Sequence, residues 1–318
     1  MSLVDVPCPA VRLEVKGRGE ATVALHGGTL LSWRVPARGA EGSGEEMDEI
    51  LFLSERSGFA APRAIRGGAP VCFPQFVDGA GVRGMVFGNH GFARNSGWQV
   101  VESECFADTE RGAQVTLALG RASPGLAGAV PLAWGPNGGL DWHLRLQISL
   151  DSGGRLAARF RVENRGPDAP LGPFQLLLHT YVRVADAGAA SVEGLDGCAW
   201  WDRSRAPEVA QFLVEGSAGP VVFPRGGHCD RVYLDSGNRA RLVTGAGFRG
   251  DRVVALETSY LQDTVVWSPS PANAAKLADL DPGGERHFVC LEPAVIRDAI
   301  TLAPGAAYTC EAVLSVLT

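Results

Sequence analysis

WHLRLQISL, residues 142 to 150, sets Trp142, Leu144, Leu146, Ile148 and Leu150 alternately with His143, Arg145, Gln147 and Ser149. Successive side chains of a strand point to opposite faces, so a strict period of two marks a strand with one buried and one wet face. Asp151-Ser152-Gly153-Gly154 follows and reads as a turn, after which Leu156, Ala158, Phe160 and Val162 alternate with Ala157, Arg159, Arg161 and Glu163. The two runs predict a β-hairpin. Shorter alternating runs recur at 21–25, 115–119 and 308–316. The 318 residues are broken at short intervals by 41 glycines and 20 prolines, and no long stretch has the apolar period of a helix. The expected fold is all-β, a large antiparallel β-sandwich with few short helices, one of them over 273–280. No linker-like tract or internal repeat divides the chain, so one domain over 1–318 is expected. Segments 37–47 and 120–140 cannot bury a regular face and read as surface loops.

Hydrophobic residues make up 46% and charged residues 20%, which is ordinary globular usage and excludes wholesale disorder. The formal net charge of -6 argues against nucleic acid or an anionic membrane as partner, since both select a basic surplus. Asp5, Pro7, Pro9 and Arg12 interrupt the N-terminus before an apolar signal core can form, and no apolar stretch is long enough to span a bilayer. Seven scattered cysteines without a C-x-x-C pair suggest free thiols in a reducing compartment, so a cytoplasmic protein is expected. Nothing signals a particular oligomer, and a monomer is the expectation.

Gly245-Ala246-Gly247-Phe248-Arg249-Gly250 matches the dinucleotide-binding glycine pattern, with Asp263 downstream. That pattern needs a following helix to receive the pyrophosphate, whereas Arg252-Val253-Val254-Ala255-Leu256 reads as a strand, so a glycine-rich turn is expected. No P-loop, G-x-S-x-G elbow or H-E-x-x-H is present. His179 lies in LLLHTYVRVADA, and strand parity puts it with Gln175, Leu177, Tyr181 and Arg183, opposite Leu176, Leu178, Thr180, Val182 and Val184. That placement suits a catalytic imidazole and equally a hydrogen-bonded one. Glu292 closes the apolar run Phe288-Val289-Cys290-Leu291, and Pro293 should stop the strand there. A carboxylate at the end of a buried strand is costly unless it is ion-paired or used as a base. Between 56 and 94 the chain carries Arg56, Arg63, Arg66, Arg83 and Arg94 against Asp78 alone, which is either an anion site or a solvated basic face. Gly67-Gly68 would let backbone approach a ligand there. His143 sits on a polar strand face and reads as solvated. His26, His228 and His287 show no partner at metal-ligand spacing, and no metal is assigned. His90, four residues before Arg94, is the better candidate for touching a ligand.

These residues fall into segments that together resemble one family. RAIRGGAPVCFPQF (63–76), NHGFARNSGW (89–98), LHTYVRVADA (178–187), SVEGLDG (191–197), DRVYLDS (230–236), DTVVWSPS (263–270) and VCLEP (289–293) closely resemble the glucose-6-phosphate 1-epimerase family, in its order. VALHGGTLLSW (23–33) and EILFLSERSGF (49–59) fit as well. The resemblance implies a galactose mutarotase-like β-sandwich that interconverts the α and β anomers of a hexose 6-phosphate without metal or cofactor. It implies His179 as general acid and Glu292 as general base, with Arg66, Asn89, His90, Arg94 and Asp230 binding the sugar phosphate. Three departures bear on substrate preference: Asn89 stands for the family's usual Gln, Ser270 for the last Trp of WNPW, and Val182 for a Phe. On this reading Glu292 takes the O1 proton while protonated His179 donates to O5, and the bell-shaped pH profile falls as Glu292 gains or His179 loses its proton. Two rivals stand beside it, a mutarotase for unphosphorylated aldoses and a non-catalytic sugar-binding or regulatory protein.

Overall fold

The 142–164 hairpin forms as its alternation requires. Trp142–Asp151 and Leu156–Asn164 pair antiparallel, from Trp142 opposite Asn164 to Leu150 opposite Leu156, with every apolar member of the alternation buried. The computed structural model describes residues 2–5, 7–39, 46–77, 87–108, 110–126, 134, 139–204, 213–214, 216, 219–223, 228–245 and 252–317. Among these, the strands form three sheets. The hairpin is the middle of a 10-stranded sheet, flanked by Gly112–Gly120 on one side and by Ala307–Leu317 and Val253–Ser259 on the other. An 8-stranded sheet holds Val71–Cys72, Leu171–Leu178, Phe288–Leu302, Asp263–Ser268, Cys229–Tyr233 and Trp200–Asp202 in that order, with Leu213–Val214 beyond them and Tyr181–Arg183 also paired to Phe288–Leu302. A 5-stranded sheet gathers the N-terminal strands, from Ser2–Asp5 to Met47–Glu49.

One apolar core joins all three sheets. Leu146, Phe160 and Leu314 of the 10-stranded sheet meet Leu176, Leu178, Val289, Leu291 and Val266 of the 8-stranded sheet, with Leu13 and Trp33 from the N-terminal strands. Each such side chain contributes roughly 1.5–3 kcal/mol by leaving water, which is what holds sheet on sheet. The far face of the 8-stranded sheet is also covered, by two smaller apolar clusters. Cys72, Leu177, Val232, Val265 and Ala294 form one; Phe52, Tyr181, Leu280, Phe288 and Cys290 form the other. Leu177 belongs to the far face while Leu176 and Leu178 belong to the main core, so the parity read from LLLHTYVRV holds even though both faces are buried.

Pro293 does not end its strand, which continues to Leu302. The reason lies on the neighbouring strand. Leu291 N–H donates to Thr180 O at 3.1 Å, so the next ladder bond would run from residue 293 to Leu178 O, and proline has no donor to make it. Leu178 O instead accepts from Thr180 N–H at 2.9 Å and from Thr180 Oγ1 at 3.3 Å, closing a three-residue turn centred on His179. The single α-helix of the described residues is Pro271–Ala274, shorter than expected and shifted toward the N-terminus. Ser270 caps it, its Oγ accepting from Asn273 N–H at 3.3 Å. Val253–Ser259 is a strand, as its β-branched run requires, while residues 246–250 of the glycine pattern lie outside the described residues. So do 40–45, 127–133 and 135–138 of the two expected loops. No helix of the described residues is long and apolar enough to cross a membrane.

Candidate active site

Sheet register brings His179 and Glu292 together. Leu177 lies opposite Ala294 and Tyr181 opposite Cys290, and the same count in between sets His179 opposite Glu292. Opposed residues of a non-hydrogen-bonded antiparallel pair have the closest side chains, and His179 Nδ1 lies 3.3 Å from Glu292 Oε1. The rows continue across the sheet, with Val265 beside Glu292 and Val232 beside Val265. The adjacent row runs Tyr181, Cys290, Trp267, Asp230. The pair is therefore a polar strip between the two apolar clusters of that face.

Above it opens a cleft of about 180 Å³ whose walls include Arg66, Asn89, His90, Arg94, His179, Asp230 and Glu292, all seven residues singled out in the sequence. Arg203, Phe76 and Trp267 also line it, beside Val77, Val265 and Leu277. The anion cluster read between 56 and 94 is split. Arg66 and Arg94 reach the cleft, Arg56 and Arg63 are exposed away from it, and Arg83 and Asp78 lie outside the described residues. Gly67 and Gly68 serve neighbouring backbone and not a ligand: at φ 107° and 65°, a Cβ would sit 2.4 Å from Phe52 O and 2.2 Å from Leu30 O respectively.

His179 is 5% exposed and Glu292 1%. The imidazole stacks on Tyr181, ring centroids 4.7 Å apart, with the edges of Trp267 and His90 against it. Burial first, then the charges of Arg94 and Arg66, hold His179 well below the ordinary histidine value. Burial first, then Asp230, push Glu292 well above the carboxylate range, against the pull of Arg94 and Arg203. The pair thus leans toward neutral imidazole and protonated carboxyl, which carries the same single proton as imidazolium beside carboxylate. A pair carrying one proton in total, with one group able to give it and the other able to take one, is what concerted acid and base work needs.

The cationic wall is held in place by specific bonds. Arg66 Nε donates to Asp279 Oδ1 at 3.1 Å and its Nη1 to Tyr181 Oη at 2.9 Å. Arg94 Nη2 donates to Asn89 O at 2.8 Å, and its buried Nε has no partner. Desolvation lowers Arg94 from the usual guanidinium value, so an anion there would relieve a strained charge. His90, at φ 62°, accepts the Val77 N–H on Nδ1 at 3.2 Å. That bond leaves Nε2 as the protonated nitrogen, and burial, then Arg94, keep the ring neutral. Asp230 is pushed up by burial against the opposing charge of Arg203, whose Nε lies 3.4 Å from Oδ1. Arg203 also sits 5.2 Å from the centre of the Phe76 ring.

Sequence reasoning missed Arg203, an isolated arginine after a buried strand with no local signal, and Asp279, which reaches Arg66 from 213 residues away. His143 is half-buried on the polar face of its strand and also has partners there: Arg165 Nη2 lies 3.1 Å and Glu163 Oε2 3.6 Å from its Nδ1. His26 and His287 find partners in backbone carbonyls, Arg63 O at 2.6 Å and Ala185 O at 3.1 Å.

Comparison with known proteins adds kinship to this geometry. The aldose 1-epimerase family profile matches residues 9–315. A protein from Escherichia coli assigned as a glucose-6-phosphate 1-epimerase is 31% identical over 279 residues, covering 86% of this chain and 79% of that one. One from Cenchrus ciliaris with the same assignment is 29% identical over 307 residues, 95% of this chain and 84% of that one. Among solved structures, a protein from Salmonella typhimurium assigned as a mutarotase superposes with a TM-score of 0.73 at 24% identity, covering 97% and 89% of the two chains. The galactose 1-epimerase of Lactobacillus acidophilus gives 0.68 at 14% identity, covering 97% and 94%. These last two likenesses establish the mutarotase fold.

Proposed function

The chain belongs to the aldose 1-epimerase family and is an isomerase of that type, and from this premise we propose that it interconverts the anomers of a hexose 6-phosphate, glucose 6-phosphate foremost. Glu292 takes the proton of the anomeric hydroxyl as His179 donates one to the ring oxygen. The C1–O5 bond breaks, C1=O1 forms, the aldehyde turns about C1–C2, and reverse transfers close the ring on either face. The step leaves His179 neutral and Glu292 protonated, the state that burial favours, so ring opening discharges the pair. Arg66, Arg94, Asn89, His90 and Asp230 hold the substrate. Positioning plus paired proton transfer suffices for a reaction that already runs in water.

The observation that carries the phosphate is Arg94, a half-buried guanidinium whose buried Nε has no partner, on the wall of the cleft that holds the acid–base pair. Guanidinium matches phosphate oxygens in bidentate fashion. The unphosphorylated-aldose reading draws on Arg66, whose Nε and one terminal nitrogen are already engaged by Asp279 and Tyr181. Freshly dissolved α-glucose 6-phosphate and α-glucose, followed by polarimetry with and without enzyme, separate the two. The proposal expects kcat/KM at least roughly tenfold higher for the phosphate, one charge-assisted contact's worth. Equal values would favour the unphosphorylated aldose, and no acceleration of either would favour a binding protein.

A further inference from the structure

Beside the acid–base pair lies a third donor that does not line the cleft. Cys290, two residues before Glu292 on the same sheet face, is fully buried. Its Sγ, a ring nitrogen of His179 and a carboxylate oxygen of Glu292 all lie within 4.8 Å of one another. His179 Nδ1 and Glu292 Oε2 are buried atoms with no hydrogen-bond partner, which buried polar atoms seldom are. The 3.3 Å between His179 Nδ1 and Glu292 Oε1 matches the ligand-to-ligand edge, about 3.4 Å, of a tetrahedron with bonds of about 2.0–2.1 Å. The sulfur edge of such a tetrahedron is about 3.6 Å, so closing the set takes a side-chain movement of up to about 1.2 Å.

We propose that His179, Cys290 and Glu292 form a binding site for a borderline-soft divalent metal ion, zinc foremost, and that the bound ion stops the reaction by occupying both proton-transfer groups. One nitrogen, one thiolate and one carboxylate are a donor set that selects zinc or cobalt over magnesium, and three protein ligands leave a fourth position facing the cleft. The charge balance is favourable despite Arg66, Arg94 and Arg203 nearby. Binding replaces the thiol proton of Cys290 and the carboxyl proton of Glu292, both released to solvent, so the dication sits among two anionic ligands and the net charge of the pocket does not change.

The inhibitory part rests on the proposed acid–base reading, whereas the binding part does not. Cobalt titrated into the full-length protein reads binding alone. One equivalent should bind with a thiolate-to-cobalt charge-transfer band that is absent from Cys290→Ser. Zinc should inhibit anomerisation of glucose 6-phosphate where magnesium does not. Cys290→Ser should keep its metal-free activity, because Cys290 does not line the cleft, and should need at least roughly tenfold more zinc for half inhibition, the lower bound seen when a metal's supporting residues are lost. Should Cys290→Ser fold poorly, Glu292→Gln tests the site with the thiol in place, and it should weaken cobalt binding as much. A cobalt band that persists in Cys290→Ser, or equal zinc sensitivity in wild type and variant, overturns the site. A protein that binds cobalt as described yet anomerises no sugar retains the site and loses the function proposed above.

Discussion

The 142–164 hairpin and the paired strands Leu171–Leu178 and Phe288–Leu302 are both antiparallel and both central to their sheets, yet they use the period of two differently. In the hairpin one face is core and the other carries Arg145, Arg159, Arg161 and Glu163 at the surface. In the second pair both faces are buried from Phe174 to Ile296, and the far face carries His179 and Glu292 where a stable sheet would carry apolar residues. The first region is shaped for stability. The second keeps two ionisable groups out of water, at a cost the rest of the fold must offset.

The contrast is tested most strongly at the pair itself. Glu292→Gln and His179→Asn should each lower kcat by roughly 10²- to 10⁴-fold, as loss of a general acid or base does. Thermal stability should be unchanged or higher, since a buried ionisable group gives way to a neutral one; near-normal turnover in either variant would falsify the assignment. The mirror experiment is Phe160→Ala in the hairpin strand, expected to cost about 3–5 kcal/mol in urea unfolding while the folded fraction keeps its kcat/KM. If that variant is instead stable and inactive, the division of labour between the regions is wrong.

Pro293 sharpens the comparison from the backbone. Pro293→Ala restores a donor that can claim Leu178 O from Thr180 and flatten the turn at His179. A shift of the imidazole of even 1 Å should lower kcat by roughly 10- to 100-fold with KM little changed. A fall confined to stability would make the proline merely structural. The pH profile comes next. Only the singly protonated pair can act, so kcat/KM should be bell-shaped. With His179 held below and Glu292 above their ordinary values, the acid limb follows protonation of His179 and the alkaline limb the loss of the last proton from Glu292. This reverses the assignment expected from unperturbed groups. Glu292→Gln should therefore move the alkaline limb of the residual activity to lower pH, where the low-lying His179 loses the proton it donates, and an unmoved alkaline limb would restore the conventional order. Smallest is Arg94→Ala, expected to raise KM for glucose 6-phosphate by roughly tenfold, from a contact of about 1.5–3 kcal/mol. Free glucose should change far less. An equal loss on both sugars would make Arg94 a structural cation.

The hairpin was fully legible in the sequence because each residue reports one face, and water on one side keeps the alternation visible. The parity of His179 with Tyr181 was legible for the same reason, and the motifs around Arg66, Arg94 and His90 marked the walls of the cleft. Pro293 was misread because its effect depends on a strand more than a hundred residues earlier, where an interrupted ladder leaves no donor missing. Arg203 and Asp279 carried no local signal at all.

The amino-acid sequence by itself determined the all-β class, the central hairpin, and which histidine and which glutamate stand out. Tertiary structure alone decided that they face each other 3.3 Å apart, that burial turns an expected ion pair toward its neutral tautomer, and that Cys290 joins them. The physical reason is that strand alternation is a local property of successive residues, whereas cross-strand register, desolvation and the field of distant arginines arise only when segments far apart in the chain share one dry cleft.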